Sequence, residues 1–126
     1  MPLNFLRTSS STDLLIAICC GILHMNGADC RADVVSRSVA AEHSKQHFCS
    51  TMNGNAACHG HTECDAIIMD GGSVTAAPCL SANDLNAELI HEAAIGKIAG
   101  EQLVKLMTLG LTEKEAEEQI IKGFLH

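Results

Sequence analysis

Aromatic side chains are scarce in this chain: three Phe and neither Tyr nor Trp among 126 residues. A core built without them must pack Ala, Val, Ile and Leu, which suits helices or stacked strands with small, branched interiors. Positive charge is also scarce. Eight basic residues stand against 15 acidic ones, a formal charge of −7. A surface of that sign disfavours the phosphate backbone of nucleic acids and expects no nucleic-acid partner. A spanning helix needs about 20 apolar residues, and the longest apolar run, Leu14–Leu23, is too short and is interrupted by Cys19 and Cys20. No membrane association is expected. Repeated C-x-x-C spacing is missing, as are a phosphate-binding loop, G-x-S-x-G and H-E-x-x-H, so nothing predicts an ATPase or hydrolase. The chain is expected not to be an enzyme.

Cysteine, by contrast, is plentiful. Seven Cys is an odd number and two are adjacent, a poor match to a secreted disulfide framework. Free thiols in a reducing cytoplasm are expected, with a secreted Cys-rich protein as the competing class. Arg7 before Leu14–Leu23 has the outline of a signal peptide but no clean cleavage site, and the run reads instead as a buried strand or short helix.

The chain length allows one domain. Residues 1–13 form a polar leader containing Ser9-Ser-Ser-Thr-Asp13. After the turn signal Asn26-Gly27 come extended segments at Ala32–Ala41, Gln46–Met52, Ala56–Met69 and Ser73–Leu80, separated by Asn53-Gly-Asn55, Asp70-Gly-Gly72 and Asn83-Asp84. This is an all-β pattern that does not by itself separate a sandwich from a β-helix, and no regular sequence repeat is evident.

From Asn86 a strand hands over to helix. Ala87, Leu89, His91, Ala93 and Ile95 share one side under period two, and Glu88, Ile90, Glu92 and Ala94 the other. Helical spacing over Gly100–Leu109 gathers Leu103, Leu106 and Met107, and Gly110 stands where a terminating glycine belongs. Thr112-Glu-Lys-Glu115 is a capping box. Ala116, Ile120 and Phe124 then line one face of a second helix. The resulting hairpin carries an apolar stripe for the β unit or for a partner.

Two places bear chemistry. His91 and Glu92 are both metal-binding types, yet strand neighbours point to opposite faces. In Cys58-His-Gly-His-Thr-Glu-Cys64, His59 and His61 share a face about 7 Å apart, a workable start for zinc or iron, while Cys58 and Cys64 lie about 20 Å apart on the other face. This leaves a stand-alone metal-binding protein using His59, His61 and Cys residues as one class of function.

Leu89-Ile-His-Glu-Ala-Ala-Ile-Gly-Lys-Ile-Ala-Gly-Glu-Gln-Leu103 closely resembles the C-terminal signature of the SufB/SufD family, the scaffold subunits of iron–sulfur cluster assembly. Arg31-Ala-Asp-Val-Val-Ser-Arg37, Gly60-His-Thr-Glu-Cys-Asp-Ala-Ile-Ile-Met-Asp70 and Leu109-Gly-Leu-Thr-Glu-Lys-Glu-Ala-Glu117 extend the likeness over about residues 26–126. The resemblance implies a mainly β chain with C-terminal α: a truncated right-handed parallel β-helix over 26–98, then a helical hairpin over 99–126, with 1–25 an unmatched leader. It implies a cluster-assembly scaffold, an iron–sulfur cluster held transiently, and an ABC-type ATPase, SufC, docked on the hairpin through Leu103, Leu106, Met107, Ile120 and Phe124. A SufB/SufD paralogue or a second copy is implied as a further partner, because a shortened solenoid exposes an apolar end that Leu14–Leu23 could cap. The family's cluster-assembly His falls on His91 and the adjoining Glu on Glu92. Ile90 stands where some members carry Glu. Gly72 or Ser73 stands where some carry the cluster Cys, leaving Cys79 as the nearest substitute. A non-functional remnant is the remaining alternative.

Overall fold

The computed structural model describes residues 16–126. The polar leader over 1–13, with Leu14 and Leu15, lies outside the described residues. Six strands precede two helices: β1 (Ile16–Met25), β2 (Cys30–Ala40), β3 (Lys45–Gly54), β4 (Cys58–Ile68), β5 (Ser73–Ala82), β6 (Ala87–Gly96), α1 (Gly100–Thr108) and α2 (Glu113–Leu125). Odd strands form one sheet, β1-β3-β5, and even strands the other, β2-β4-β6. All pairings are parallel and in register. Each turn of the coil contributes one strand to each sheet, so the architecture is that of a parallel β-helix followed by a helical hairpin.

Corner chemistry sets the coil's step. At one corner Asn55 Nδ2 donates to Asn26 Oδ1 at 2.7 Å, and Asn83 Nδ2 donates to Asn55 Oδ1 at 2.8 Å. Backbone bonds run alongside, from Asn55 N–H to the Met25 carbonyl and from Asn83 N–H to the Gly54 carbonyl. This ladder of identical side chains ties successive turns as stacked amides do in other parallel stacks. The opposite corner needs left-handed backbone: φ is 52° and 60° at Glu42 and His43, and 47° and 77° at Asp70 and Gly71. Asp and Gly accept that region most readily.

Strand alternation divides each residue set between lumen and solvent. Phe48, Ser50, Met52, Cys58, Thr62, Cys64 and Ala66 are buried in the middle turn, with Met25 and Ala40 from the first. Two Met and small side chains fill the narrow lumen, where flexible thioethers close irregular gaps. Gly60 is required there: a Cβ on it would meet the Met52 and Met25 sulfurs and come within 2.9 Å of Leu89 Cδ2. Cys58 and Cys64 are core thiols, as their spacing predicts, and burial pushes both thiols up from the ordinary range.

Two expectations change. Leu14–Leu23 reads as a buried strand or short helix; β1 is a strand, but Ile16, Ile18 and Ile22 are 58%, 69% and 71% exposed, because the register places them on the outer side of the coil. Cys20 and Cys49, expected as thiols, are joined as a disulfide, their Cα atoms 4.6 Å apart. In-register stacking makes these two residues cross-strand neighbours, which no local spacing reveals.

The hairpin forms as its signals predict. Gly110 takes φ of 97° after α1. Thr112 N–H donates to Glu115 Oε2 at 2.8 Å and Glu115 N–H donates to Thr112 Oγ1 at 3.3 Å, a complete capping box. α2 packs on α1 and on β2, burying Ala116 fully.

Candidate functional site

Alternation along β4 turns Cys58, Gly60, Thr62 and Cys64 inward and His59, His61, Glu63 and Asp65 outward. The same alternation along β6 turns Ala87, Leu89, His91, Ala93 and Ile95 inward, since these pair in register with the inward residues of β4. His91 therefore stands inside the third turn and Glu92 outside it. The two cannot share one ion.

His91 sits above Thr62, with Nδ1 and the Thr62 hydroxyl 2.5 Å apart. Its Nε2 is buried and has no partner, and the Ser50 hydroxyl is in the same condition. Met52 of β3 faces Gly60 of β4 across the lumen. Two residues further from that corner on each strand come Ser50 and Thr62, so the inner polar groups of the coil fall at one level. A buried polar atom without a partner costs about 1–3 kcal/mol, so each calls for a partner, an ordered water or a bound ion among them.

On the outer face three strands bring together residues far apart in sequence. His61 Nδ1 lies 2.7 Å from Asp33 Oδ1 on β2, and His61 Nε2 lies 3.1 Å from Glu92 Oε2 on β6. Glu63 joins them: one ligand atom each from His61, Glu63 and Glu92 lie within 4.8 Å of one another. Hydrogen bonds to Asp33 first and Glu92 second raise the His61 pKa above its ordinary value. A hydrogen bond to Asp65, with that group's charge, raises Glu63 above the usual carboxylate range. Next to this cluster His59 Nδ1 pairs with Glu88 Oε2 at 2.9 Å. A shallow depression of about 310 Å³ is lined by Arg31, Asp33, His59 and His61 over the backbone of Ala32 and Gly60.

Of the residues expected to bind metal, the fold brings few together. His59 and His61 share a face, as their spacing predicts, but His59 is engaged by Glu88 and His61 by Asp33 and Glu92. Cys79 is exposed on the outer side of β5, on the other sheet and the other face from His91, so it cannot complete a site with that imidazole. Asp33 and Glu63 were not singled out by sequence. Asp33 precedes His61 by 28 residues, one turn of the coil, and recognising that step is what would have joined them.

On the hairpin, Leu103, Leu106, Ile120 and Phe124 are half-buried, where α1 packs on α2 and α2 on β2. Met107 is 44% exposed, and its neighbours Val104 and Leu109 are 60% and 80% exposed. The free apolar surface is thus on α1 and the loop after it. Among the described residues no helix is long and apolar enough to cross a membrane.

Comparison with known proteins gives a consistent match. The family model for the SufBD core domain of SUF-system FeS cluster assembly matches residues 20–124. An iron–sulfur cluster assembly SufBD family protein of Pyrococcus horikoshii is 36% identical over 105 residues, covering 82% of this chain and 32% of the relative. A SufBD family protein of Archaeoglobus fulgidus is 39% identical over 101 residues, 79% of this chain and 27% of the relative. The iron–sulfur cluster assembly protein SufB of Bacillus subtilis is 33% identical over 98 residues, 73% of this chain and 21% of the relative. The chain spans about a third or less of the length of these relatives.

Proposed function

This chain belongs to the SufBD family, and from that premise we propose that it is a scaffold component of iron–sulfur cluster assembly, with the nascent cluster as its cargo. The observation that carries the reading is His91: an imidazole held at Nδ1 by Thr62 and left with a buried, unpartnered Nε2 inside the last turn of strands. Nε2 of a neutral imidazole is a good donor to iron, and the Thr62 contact orients the ring. Cys79 lies on the other sheet and the outer face, and in this reading further ligands come from another subunit, a SufB/SufD-type chain or a second copy. The protein performs no catalysis of its own and works in the cytoplasm. An ABC-type ATPase of the SufC kind docks on the hairpin, over the exposed Val104, Met107 and Leu109 rather than the half-buried Ile120 and Phe124.

Anaerobic reconstitution with iron and sulfide, with and without the ATPase and a full-length family member, tests this reading through absorbance and iron content. Cluster formation that falls at least tenfold in His91→Ala supports it. Equal loading of the variant and wild type overturns it. Capture of the ATPase that survives Met107→Asp with Leu109→Asp removes the docking surface.

A further inference from the structure

We propose that the outer face of the β2-β4-β6 sheet binds one divalent first-row transition cation through His61 Nε2, Glu63 and Glu92, with Asp33 positioning the imidazole. This goes beyond the scaffold reading: it requires neither sulfide nor ATPase, and it uses the opposite face of the sheet from His91.

The backbone already holds the ligands in place. His61 and Glu63 are two residues apart on one strand, both outward, and Glu92 is the register partner of Glu63 on the next strand. Ligand atoms around a cation at about 2.0–2.2 Å stand roughly 3 Å apart. The separation here is within 4.8 Å, and the carboxylates are on flexible, exposed side chains. Rotamer changes close the gap without moving the ladder.

His61 has the arrangement seen at metal-ligating imidazoles. One ring nitrogen faces a carboxylate on a neighbouring strand, Asp33 at 2.7 Å, and the other is aimed at the prospective site, toward Glu92 at 3.1 Å. Such a carboxylate fixes the tautomer and the ring plane. Charge is crowded here too. Glu63 and Glu92 stand beside Asp33 and Asp65 on the outward faces of three adjacent strands, with His61 between Asp33 and Glu92. The thiols of β4, Cys58 and Cys64, face the lumen, so the donor set is one nitrogen and carboxylate oxygens. That set suits Fe²⁺, Mn²⁺ or Zn²⁺ and has nothing to favour soft ions.

The test is titration of the chelator-treated full chain with Mn²⁺ alone, near neutral pH, reading free Mn²⁺ by electron paramagnetic resonance and following with Zn²⁺ competition. One Mn²⁺ per chain is expected. His61→Ala and Glu63→Gln are expected to weaken it at least tenfold. Asp33→Asn, which keeps the shape but loses the orienting charge, is expected to weaken it about 10–100-fold while the stoichiometry stays at one. Glu88→Gln, on the carboxylate that engages His59, leaves binding unchanged. Far-UV circular dichroism checks that each variant folds, and Glu92→Gln replaces any that does not. Binding that is absent in the wild type, or equal in wild type, His61→Ala and Glu63→Gln, overturns the site and leaves only an exposed ion-pair network. Cluster loading judged by His91→Ala is independent of either result.

Discussion

Replacing Gly72 by Ala is the sharpest test of how tightly the coil closes on itself. A Cβ at Gly72 would lie 2.5 Å from the Ala40 carbonyl oxygen and 2.7 Å from its carbon. Ala40 is fully buried, and that same carbonyl accepts the Met69 N–H at 2.8 Å. The obstacle is therefore backbone already committed to the ladder, and no side chain can rotate away. Overpacking costs about 1–3 kcal/mol and loosening a buried hydrogen bond about 1 kcal/mol more, so Gly72→Ala is expected to cost about 2–4 kcal/mol. For a domain near 100 residues that corresponds to a melting point lower by roughly 8–30 °C. Gly123→Ala is the control of opposite sign: nothing lies within 4 Å of its Cβ position, and Ala in α2 gains about 0.5–1 kcal/mol of helix propensity. Urea unfolding followed by circular dichroism measures both, with unchanged slopes confirming that the same transition is compared. A Gly72→Ala midpoint within error of wild type would refute the close approach. The functional corollary is that a thiol introduced at exposed Ser73 is tolerated and one at Gly72 is not.

Two further outcomes follow from the site and the hairpin. Because His61 has a folded pKa raised above 6.5 by Asp33 and Glu92, its stabilisation is complete below the unfolded value and is lost as pH rises through the folded one. In chelator, the stability gap between wild type and His61→Ala should therefore narrow as pH rises above about 6.5, and a gap that stays constant as pH rises would contradict the pairing. Thr112→Ala removes the hydroxyl that caps α2 and should cost about 1 kcal/mol, measured by the same unfolding transitions. The Glu115 pKa, lowered by its hydrogen bonds to Thr112, should return toward the ordinary value in that variant.

Much of the local structure was legible. The turn signals, the period-two faces of β4 and β6, the glycine that ends α1 and the capping box of α2 all depend on neighbours within a few residues, so they can be read along the chain. The grouping of His91 with Ala87, Leu89 and Ala93 was legible for the same reason, although which side lay inside was not. The coil repeat was harder to see. It is written in Asn26, Asn55 and Asn83, spaced like the 28- and 29-residue steps between their ladder bonds, while the strands between them share only small inward residues. A solenoid lumen asks for size and polarity at alternate positions, not for a particular residue, so the repeat leaves little trace in sequence.

The amino-acid sequence alone settled that the segments after Asn26-Gly27 extend, most of the turns between them, how the hairpin is capped and which side chains share a strand face, because alternation and capping are local physics. Tertiary structure alone decided that Asp33, His61 and Glu92 meet, that Cys79 and His91 do not, and that the hairpin leaves Met107 free while half-burying Phe124. Those meetings depend on how successive turns stack, and a shift of a single residue at one corner would send every side chain of the next strand to the opposite face.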